Sequence, residues 1–389
     1  MTATRAGLAL AAVAGEKSGD LLAASVLAAL AEAEGGLDAR GIGGASMAAV
    51  GFDRWWDIEA LSVNGYAEVL RAYPRLRRMR EDLKRRLVDW HPEVFLGVDA
   101  PDFNLDVEKR MRAAGVPVVH FIGPSIWAWR AGRIERIRES VDHMLLVFPF
   151  EQEIYEKAGI ASTYVGHPLA DQIPPEPPVA EARATLGLSP DAPVVALLPG
   201  SRVGEVRFMA AEFMRTAAWL HARRPGLQFV LPAASDSLFE SMRSTLAGLG
   251  LPADLDLRII AGRSHDALAA ADTVLVASGT ATLEAALFHK PMVIAYRLAW
   301  LSYRIMHRMG YLPWIGLPNI LCRDWVVPEF IQDAARADRM GAALLAQLDD
   351  APGRRMIGQR FAELGDQLRR GCAQRAAEVI LAVRRGPGR

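Results

Sequence analysis

Short apolar runs alternate with longer segments of helical periodicity along most of the chain. Each run has the length of a buried strand and is bounded by turn-forming residues. Because strand–helix–strand units cover parallel strands with helices, the alternation predicts an α/β fold with mostly parallel sheets. The predicted strands are 8–14, 94–98, 116–122, 143–147, 194–198, 228–231, 257–260, 273–277 and 292–295. Helices are predicted between them, for example at 21–33 and 105–114.

A proline-rich segment separates the two halves of the pattern. Residues 173–178 read Ile-Pro-Pro-Glu-Pro-Pro, which is stiff and extended. We predict two Rossmann-like, doubly wound domains that face a cleft: 1–172, with the C-terminal helices of about 365–389 packed back on it, and 173–364. Ligands bind in such crevices at the carboxyl ends of strands.

The composition narrows the class of protein. The chain has 389 residues, which is enough for two domains. Lysine plus arginine equals aspartate plus glutamate at 45 each, so the overall charge gives no sign of a nucleic-acid partner. Cys322 and Cys372 have no CxxC spacing, which predicts neither a disulfide framework nor a zinc site and fits a reducing cytoplasm.

The N-terminal apolar run has two interpretations. Arg5 and the residues after it resemble the charged and apolar regions of a signal peptide. The run leads directly into a glycine turn and a helical pattern, so a first β-strand is favoured. No apolar run reaches the ~18 residues typical of a membrane-spanning helix.

Residues 278–284, Ser-Gly-Thr-Ala-Thr-Leu-Glu, stand where a predicted strand turns into a helix. The first N–H groups of a helix are unpaired and carry about half a positive charge, so they bind phosphate without lysine or metal. Glu284, expected in the first helical turn, then lies within reach of a ribose. The predicted nucleotide-binding residues are Ser278, Gly279, Thr280, Thr282 and Glu284. The alternative is an ordinary capped helix with an acidic first turn.

A second turn of the same domain supports the nucleotide interpretation. Leu198-Pro199-Gly200-Ser201-Arg202 leaves another predicted strand, and a helical pattern follows. Glycine allows close approach of the backbone to a ligand, and arginine can make a paired contact with a diphosphate. We therefore add Gly200, Ser201 and Arg202 to the nucleotide site. The alternative for Arg202 is a surface salt bridge.

The first domain carries glycine turns and carboxylates at its predicted strand ends. The turn at 15–20, Gly-Glu-Lys-Ser-Gly-Asp, matches neither Walker A nor GxGxxG, and 41–46 matches GxGxxG only weakly. We expect 41–46 to form a glycine loop that lines the cleft. Asp99 and Asp102 follow the strand 94–98, and Asp99, nearer the strand end, is the predicted general base. Asp102 is expected to cap the next helix or to support the base.

Other polar residues carry weaker signals. His120 and His167 are possible ligands or acids, although most such histidines are structural. Asp254-Leu255-Asp256 has the DxD form of some metal-dependent transferases, but it reads as a surface turn. No clustered His/Cys pattern appears, so no metal and no cofactor are expected.

Two segments have the composition of an interface. Residues 70–90 are rich in arginine, with apolar residues at spacings of three and four, as in a helix on a membrane surface. Residues 296–325 mix Trp, Tyr and Arg, which suits lipid headgroups or the polar rim of a greasy ligand. The alternative is a solvated helix and an aromatic core.

Several of these motifs together resemble the lipid-A-disaccharide synthase family. The resemblance extends from Gly15 to the C-terminal helices, and the motifs occur in the family's order. They lie at 15–20, 97–104 (GVDAPDFN), 124–130 (PSIWAWR), 166–169 (GHPL), 198–202, 278–284 and 318–321 (PNIL).

The resemblance implies a GT-B glycosyltransferase that condenses UDP-2,3-diacylglucosamine with 2,3-diacylglucosamine 1-phosphate, called lipid X. The implied product is the β-1,6-linked disaccharide 1-phosphate of lipid A, formed with inversion and release of UDP. The family is peripheral on the cytoplasmic face of the inner membrane. The interface segments are therefore expected to meet an anionic membrane surface, and a homodimer is an open alternative to the monomer.

The resemblance also implies roles for single residues. Asp99 supplies the base, Arg202 and the helix start at Gly279 hold the diphosphate, and Glu284 holds the ribose. The residues expected near the donor, the acceptor or the cleft floor are Asn319, Glu16, Ser18, Gly19, Asp20 and Asp102. The rivals are a UDP-N-acetylglucosamine epimerase or other soluble-substrate enzyme of the same fold, an NAD-dependent oxidoreductase and a non-catalytic lipid-binding module.

Overall fold

The computed structural model describes residues 7–61, 66–127, 131–298 and 312–386. The chain forms two compact units: unit 1 contains Met1–Asp171 and Leu368–Arg389, and unit 2 contains Gln172–Gln367. The predicted boundaries, after residues 172 and 364, lie close to these. The assignment of the acceptor to the first domain and of the donor to the second stays a prediction.

Unit 1 is built on a seven-stranded parallel sheet with the strand order β3-β2-β1-β4-β5-β6-β7. The strands are β1 (Leu8–Ala14), β2 (Leu37–Gly43), β3 (Asp53–Asp57), β4 (Val94–Val98), β5 (Val118–Phe121), β6 (His143–Leu146) and β7 (Ser162–Tyr164). The prediction missed β2 and β3, because charged or glycine residues interrupt their apolar pattern, and it missed β7, which has only three residues.

Unit 2 is built on a six-stranded parallel sheet with the order β10-β9-β8-β11-β12-β13. The strands are β8 (Val194–Leu198), β9 (Gln228–Ala233), β10 (Leu257–Ala261), β11 (Thr273–Ala277), β12 (Met292–Tyr296) and β13 (Glu329–Ile331). The central strands of both sheets, β1, β4, β8 and β11, are buried at every residue. Such complete burial is expected of strands covered on both faces.

Helices follow most strands of both sheets. Those described up to residue 185 are α1 (Lys17–Glu34), α2 (Ala45–Ala49), α3 (Tyr66–Trp90), α4 (Pro101–Ala113), α5 (Ile134–Ser140), α6 (Glu151–Lys157), α7 (Pro168–Gln172) and α8 (Val179–Thr185). Those described further along are α9 (Val203–His221), α10 (Asp236–Gly248), α11 (Ser264–Ala270), α12 (Thr280–Leu287), α13 (Leu317–Cys322), α14 (Ala337–Asp349), α15 (Ala351–Leu368) and α16 (Cys372–Arg385).

The C-terminal helix α16 returns the chain to unit 1 and packs against α1. Near its end, Arg384 pairs with Glu34 at 2.5 Å and with Glu93 at 3.1 Å. At its start, the N–H of Cys372 donates to the Asp171 carboxylate at 2.6 Å. The C-terminal segment is therefore held on the rest of unit 1 by ion pairs and a backbone hydrogen bond as well as by packing.

Each sheet has one switch point, where successive strands are added on opposite sides of the first. In unit 1 the switch lies between β1 and β4, and Ala14 pairs with Val98 at its carboxyl edge. In unit 2 it lies between β8 and β11, where Val276 pairs with Leu198. Such a position is where open α/β sheets bind ligands.

Helix α3 corrects part of the membrane-helix prediction. Met79, Leu83 and Leu87 are buried in the core of unit 1, so this part of the apolar stripe packs on the sheet. Lys84, which was expected to face the membrane, pairs with Asp106 at 2.8 Å and has 13% of its side chain exposed. Among the described residues, no helix is long and apolar enough to cross a membrane.

Candidate active site

Two carboxylates meet at the switch point of unit 1. Glu16 is the N-cap of α1, directly after β1, and Asp99 follows β4. The Glu16 carboxylate lies close enough to Asp99 to disfavour its ionisation. The predicted base is therefore at the carboxyl edge of the sheet, beside a second acid.

The backbone around Asp99 is tightly fixed. Asp99 and Ala100 both have left-handed φ angles, of 50° and 46°. The N–H of Asp99 donates to the carbonyl of Phe121 at 2.9 Å, and its carbonyl accepts the amide Nδ2 of Asn104 at 2.7 Å. The same Asn104 amide lies 3.3 Å from the carbonyls of Val13 and Val98. A fully buried asparagine thus ties the ends of β1 and β4 to the loop that carries the acid.

Glycine is required where the two loops touch. A Cβ at Gly15 would lie 2.3 Å from the Cβ of Ala100, closer than two carbon atoms can approach. The bare backbone at Gly15 therefore allows the Glu16 loop to rest on the Asp99 loop, which brings the two carboxylates together.

The environment of Asp99 raises its pKa above the usual value. Burial is the largest cause, and the neighbouring Glu16 carboxylate adds to it. The N–H of Ala100 and the charge of His120 act in the opposite direction. A half-buried carboxylate with a raised pKa is a stronger base than an exposed one, which suits it to accept a proton.

A buried His–Glu pair lies behind Asp99. Nδ1 of His120 on β5 is 2.6 Å from Oε1 of Glu108 on α4, and neither side chain is exposed. Gly97 makes room for both, since a Cβ there would lie 1.9 Å from Oε1 of Glu108. His120 was a candidate from the sequence, whereas Asn104 and Glu108 were not singled out. The available signal was two polar residues, four apart, among the buried Leu105, Val107 and Met111 of an amphipathic helix.

Asp102 and Asp20 have other contacts than predicted. The N-cap of α4 is Ala100, so the expectation that Asp102 caps this helix is wrong. Asp102 lies two residues later, exposed in the first turn, where Arg133 donates to it at 2.7 Å. Asp20 is buried and accepts the N–H groups of Gly44, Ser46 and Met47 at the start of α2, which lowers its pKa despite burial. That is a structural contact, and its binding of substrate stays a prediction.

The other predicted residues of the first turn lie within α1, not in a loop. The helix begins at Lys17, four residues earlier than predicted. Ser18 donates to Glu16 at 3.0 Å, and Gly19 is buried against Val98. Likewise, the predicted glycine loop at 41–46 is wrong in part. Residues 41–43 belong to β2, and only Gly44 forms the turn into α2.

The switch point of unit 2 presents an open helix start. Gly279 is the N-cap of α12, with a φ of 135° and without a side-chain cap. No heavy atom lies within 4 Å of where its Cβ would be. Thr280 is exposed, whereas Thr282 is buried and its hydroxyl donates to the carbonyl of Gly279 at 2.7 Å. The N–H of Thr282 donates to the carbonyl of Gly279 at 3.1 Å, and the start of the helix before it has no side-chain cap. Binding of a nucleotide phosphate there stays a prediction.

Glu284 is not in the first turn of α12, and that expectation is wrong. The helix begins at Thr280, and its first turn contains no acidic residue. Glu284 stands in the next turn, where Nε2 of His265 lies 3.5 Å from its carboxylate. The contact raises the pKa of His265, and His265 in turn packs on Phe288. A role of Glu284 with a ribose stays a prediction.

In the neighbouring turn after β8, backbone N–H groups are already hydrogen-bonded to a side chain of the protein. The Glu205 carboxylate accepts the N–H of Ser201 at 3.1 Å and of Arg202 at 3.3 Å, which forms a capping box on α9. Gly200, with a φ of 122°, lies directly over this carboxylate. The Arg202 side chain is 77% exposed and 3.5 Å from Glu205. The contact with Glu205 is the surface salt bridge that was the alternative for Arg202. The backbone N–H groups of Ser201 and Arg202 are already bonded, and contact of the exposed guanidinium with a diphosphate stays a prediction.

Asn319 stabilises the segment 326–329 through hydrogen bonds. Its Nδ2 donates to the carbonyl of Val327 and to Glu329, both at 2.9 Å. Its Oδ1 accepts the N–H groups of Val326 and Val327. Because the amide is saturated, any effect of Asn319 on a donor acts through the loop it holds. Its position near the donor stays a prediction.

The remaining candidates have local partners. Asp254 pairs with His221 at 3.1 Å, and Asp256 accepts from Arg258 and Gln228. His167 is buried against Phe148, and burial lowers its pKa to about 4. Trp127 precedes residues 128–130 of the PSIWAWR motif, which lie outside the described residues, as do 299–311 of the aromatic segment.

Known lipid-A-disaccharide synthases are similar to this chain along nearly its whole length. Residues 10–381 match the family described as LpxB, lipid-A-disaccharide synthetase. A lipid-A-disaccharide synthase of Burkholderia vietnamiensis is 50% identical over 384 residues, covering 97% of this chain and 96% of its own. One of Thiobacillus denitrificans is 52% identical and covers 95% and 98% of the two chains. The chain belongs to the lipid-A-disaccharide synthetase family.

Membership of the lipid-A-disaccharide synthetase family makes the chain an enzyme, a glycosyltransferase, and confirms that prediction. A solved UDP-GlcNAc 2-epimerase of Neisseria meningitidis, bound to UDP-GlcNAc, has a TM-score of 0.62 at 12% identity and covers 96% of this chain and 98% of its own. That likeness concerns the fold alone. Together with solved glycosyltransferases of similar architecture, it confirms the predicted GT-B fold.

Proposed function

We propose that this chain transfers a diacylglucosamine unit from UDP-2,3-diacylglucosamine to the 6-hydroxyl of lipid X, with inversion and release of UDP. The observation that carries the proposal is the contrast between the two switch points. One presents a half-buried carboxylate and the other an uncapped helix start. A base and an anion site are the two groups that a metal-independent sugar transfer from a nucleotide requires.

The proposed steps assign one role to each switch point. Asp99 accepts the proton of the acceptor hydroxyl, whose oxygen forms the new bond to the anomeric carbon. The bond from that carbon to the diphosphate breaks, and the electron pair leaves with UDP. The N–H groups at the start of α12 and the Arg202 guanidinium stabilise the charge that develops on the leaving diphosphate. Glu284 holds the ribose.

Membrane docking is the finer part of the proposal. Both substrates are lipids, so the enzyme works at an anionic inner-membrane surface. In unit 1, only part of α3 supports membrane docking. The exposed residues there include Tyr73, Arg77 and Arg78. In unit 2, Leu312, Ile315 and Trp325 are exposed, and Trp325 packs edge-on against Trp314 at 6.4 Å.

The reaction is tested by mixing the purified protein with radiolabelled UDP-diacylglucosamine and lipid X and measuring UDP release together with a disaccharide product. UDP release that depends on lipid X supports the proposal. Conversion of UDP-N-acetylglucosamine without an acceptor would identify an epimerase, and lipid binding without UDP release would identify a non-catalytic module.

The docking proposal is tested with matched charge reversals on α3. Arg77→Glu combined with Arg78→Glu should release the protein from vesicles that contain phosphatidylglycerol at low salt, because each exposed basic residue contributes about 1 kcal/mol near an anionic surface. Lys84→Gln is the control, since Lys84 is already paired with Asp106. Equal co-sedimentation of the double variant and the wild type would leave the segment around Trp325 as the docking surface.

A further inference from the structure

The buried Glu108–His120 pair has no role in the steps above, yet it adjoins the proposed base. The N–H of Asp99 donates to the carbonyl of Phe121, the residue after His120. Asp99 and His120 also act on each other electrostatically: each favours the charged form of the other. The pair is therefore coupled to Asp99 through the backbone and through charge.

The charged neighbours of His120 raise its pKa above the usual value. Burial lowers the pKa of His120, but Glu108, through its charge and its hydrogen bond, and Asp99 raise it, and the net direction is upward. The geometry agrees with this, since Nδ1 lies 2.6 Å from Oε1 of Glu108, at the distance of a hydrogen bond to a carboxylate. Gly97 provides the space for this contact, because any side chain there would displace the Glu108 carboxylate.

We propose that the Glu108–His120 pair is a positioning device for Asp99: it supplies an imidazolium that keeps the Asp99 carboxylate ionised beside the Glu16 carboxylate. The inference rests on the proposed role of Asp99 as the base. His120 is a positioning residue, because it acts on the reaction through Asp99 and is not assigned a contact with either substrate.

The charged groups around Asp99 define what the imidazolium must offset. Glu16, from the loop before α1, opposes ionisation of Asp99, and so does burial. The Asp102–Arg133 pair lies in the first turn of α4 and at the start of α5, and 76% of the Asp102 side chain is exposed. Solvent weakens the effect of that exposed pair. The buried His120 is thus the cation with the larger influence on Asp99.

The test is the pH dependence of kcat/KM. In His120→Gln, removal of the imidazolium leaves Asp99 among carboxylates, so the acid limb of the profile should move to higher pH by about one unit, while the plateau at high pH is retained. His143→Gln is the matched control. His143 starts the neighbouring strand β6 and bonds Thr163 at 2.9 Å, so its loss should leave the acid limb in place.

Two further measurements guard against a variant that does not fold. The double variant His120→Gln, Glu108→Gln keeps a hydrogen-bonded neutral pair and should show the same displacement of the acid limb. Histidine NMR of the folded Asp99→Asn protein provides the reciprocal test, because coupling between two sites is mutual. His120 should release its proton at lower pH in Asp99→Asn than in the wild type.

The outcomes separate this inference from the proposed function. If Asp99→Asn is inactive but the acid limb of His120→Gln is that of the wild type, the base assignment stands and the positioning role is wrong. Identical titration of His120 in the wild type and in Asp99→Asn would also overturn the positioning role. If Asp99→Asn has the wild-type rate, the base assignment itself fails, and Glu16 takes its place as the candidate.

Discussion

The two sheets share one topology but differ at their switch points. In unit 1 the loops after β1 and β4 bring together the carboxylates Glu16 and Asp99, and a buried asparagine fixes their backbone. In unit 2 the loops after β8 and β11 carry glycines, an exposed arginine and a helix without a side-chain cap. The same architecture thus places negative charge at one switch point and hydrogen-bond donors at the other.

The comparison shows that the sheet topology determines where a site lies, whereas the loop residues determine its chemistry. Parallel strands bring their carboxyl ends to one edge in both units. Only the residue types at that edge decide whether a proton acceptor or an anion site results. The predictions below test the two edges separately.

The largest effect is expected at the acidic edge. Asp99→Asn keeps the shape of the side chain and removes its basicity, so kcat should fall at least about 100-fold while UDP affinity changes little. Steady-state kinetics and calorimetry of UDP binding measure the two quantities. Asp102→Asn, on the surface of the same helix, is the control and should retain most activity. A near wild-type rate in Asp99→Asn contradicts the contrast between the two edges.

The next effect is expected at the helix start in unit 2. Thr280→Pro removes one N–H donor, and proline is tolerated at the first position of a helix. A lost hydrogen bond to a charged group costs about 1.5–3 kcal/mol, so UDP should bind about 10- to 100-fold more weakly. Thr280→Ala keeps the N–H and serves as the control. Equal loss in both variants would mean that the hydroxyl, not the backbone, binds the nucleotide.

A smaller effect distinguishes the two turns within unit 2. Glu205→Ala removes the capping box of α9, which should lower the free energy of unfolding by about 1 kcal/mol in urea denaturation. UDP affinity should stay within about threefold of the wild type if the turn after β8 contributes only the Arg202 guanidinium to the diphosphate, a limit of under 1 kcal/mol. A clear gain in affinity would show that the freed N–H groups of Ser201 and Arg202 also bind phosphate.

The smallest effect concerns chelation. If the N–H groups at the start of α12 and the Arg202 guanidinium bind the diphosphate as proposed, activity should survive dialysis against EDTA. Asp254 and Asp256 are held by His221, Arg258 and Gln228. Activity that is lost on chelation and restored by magnesium or manganese would return these two aspartates to the site.

The sequence predicted the central strands and both edges because they combine long apolar runs with glycine and polar residues at the strand ends. It did not predict β2 and β3, whose charged residues hide their strand pattern. It also missed contacts that depend on folding: Asp20 on the start of α2, Glu108 on His120 and Glu205 on the start of α9. Asp20 and Glu108 bind groups that are distant in sequence, and Glu205 binds backbone N–H groups at the start of its own helix.

The start of α4 shows the same limit of sequence patterns. Asp102 fits the preference of aspartate for helix caps, yet the left-handed backbone at Asp99 and Ala100 moves the cap to Ala100. Backbone conformation of this kind is set by tertiary contacts, here by the Asn104 amide and the carbonyl of Phe121. The preference of a residue type for helix caps does not predict this backbone conformation.

The contact between Gly15 and Ala100 constrains how this family of sequences can change. Any side chain at position 15 collides with the Ala100 methyl group, while alanine at position 100 holds a left-handed backbone that costs about 1 kcal/mol relative to glycine. Glycine at 100 removes both obstacles. An alanine at 15 is therefore tolerated only when position 100 is glycine, so the effect of either substitution on stability depends on the residue at the other position.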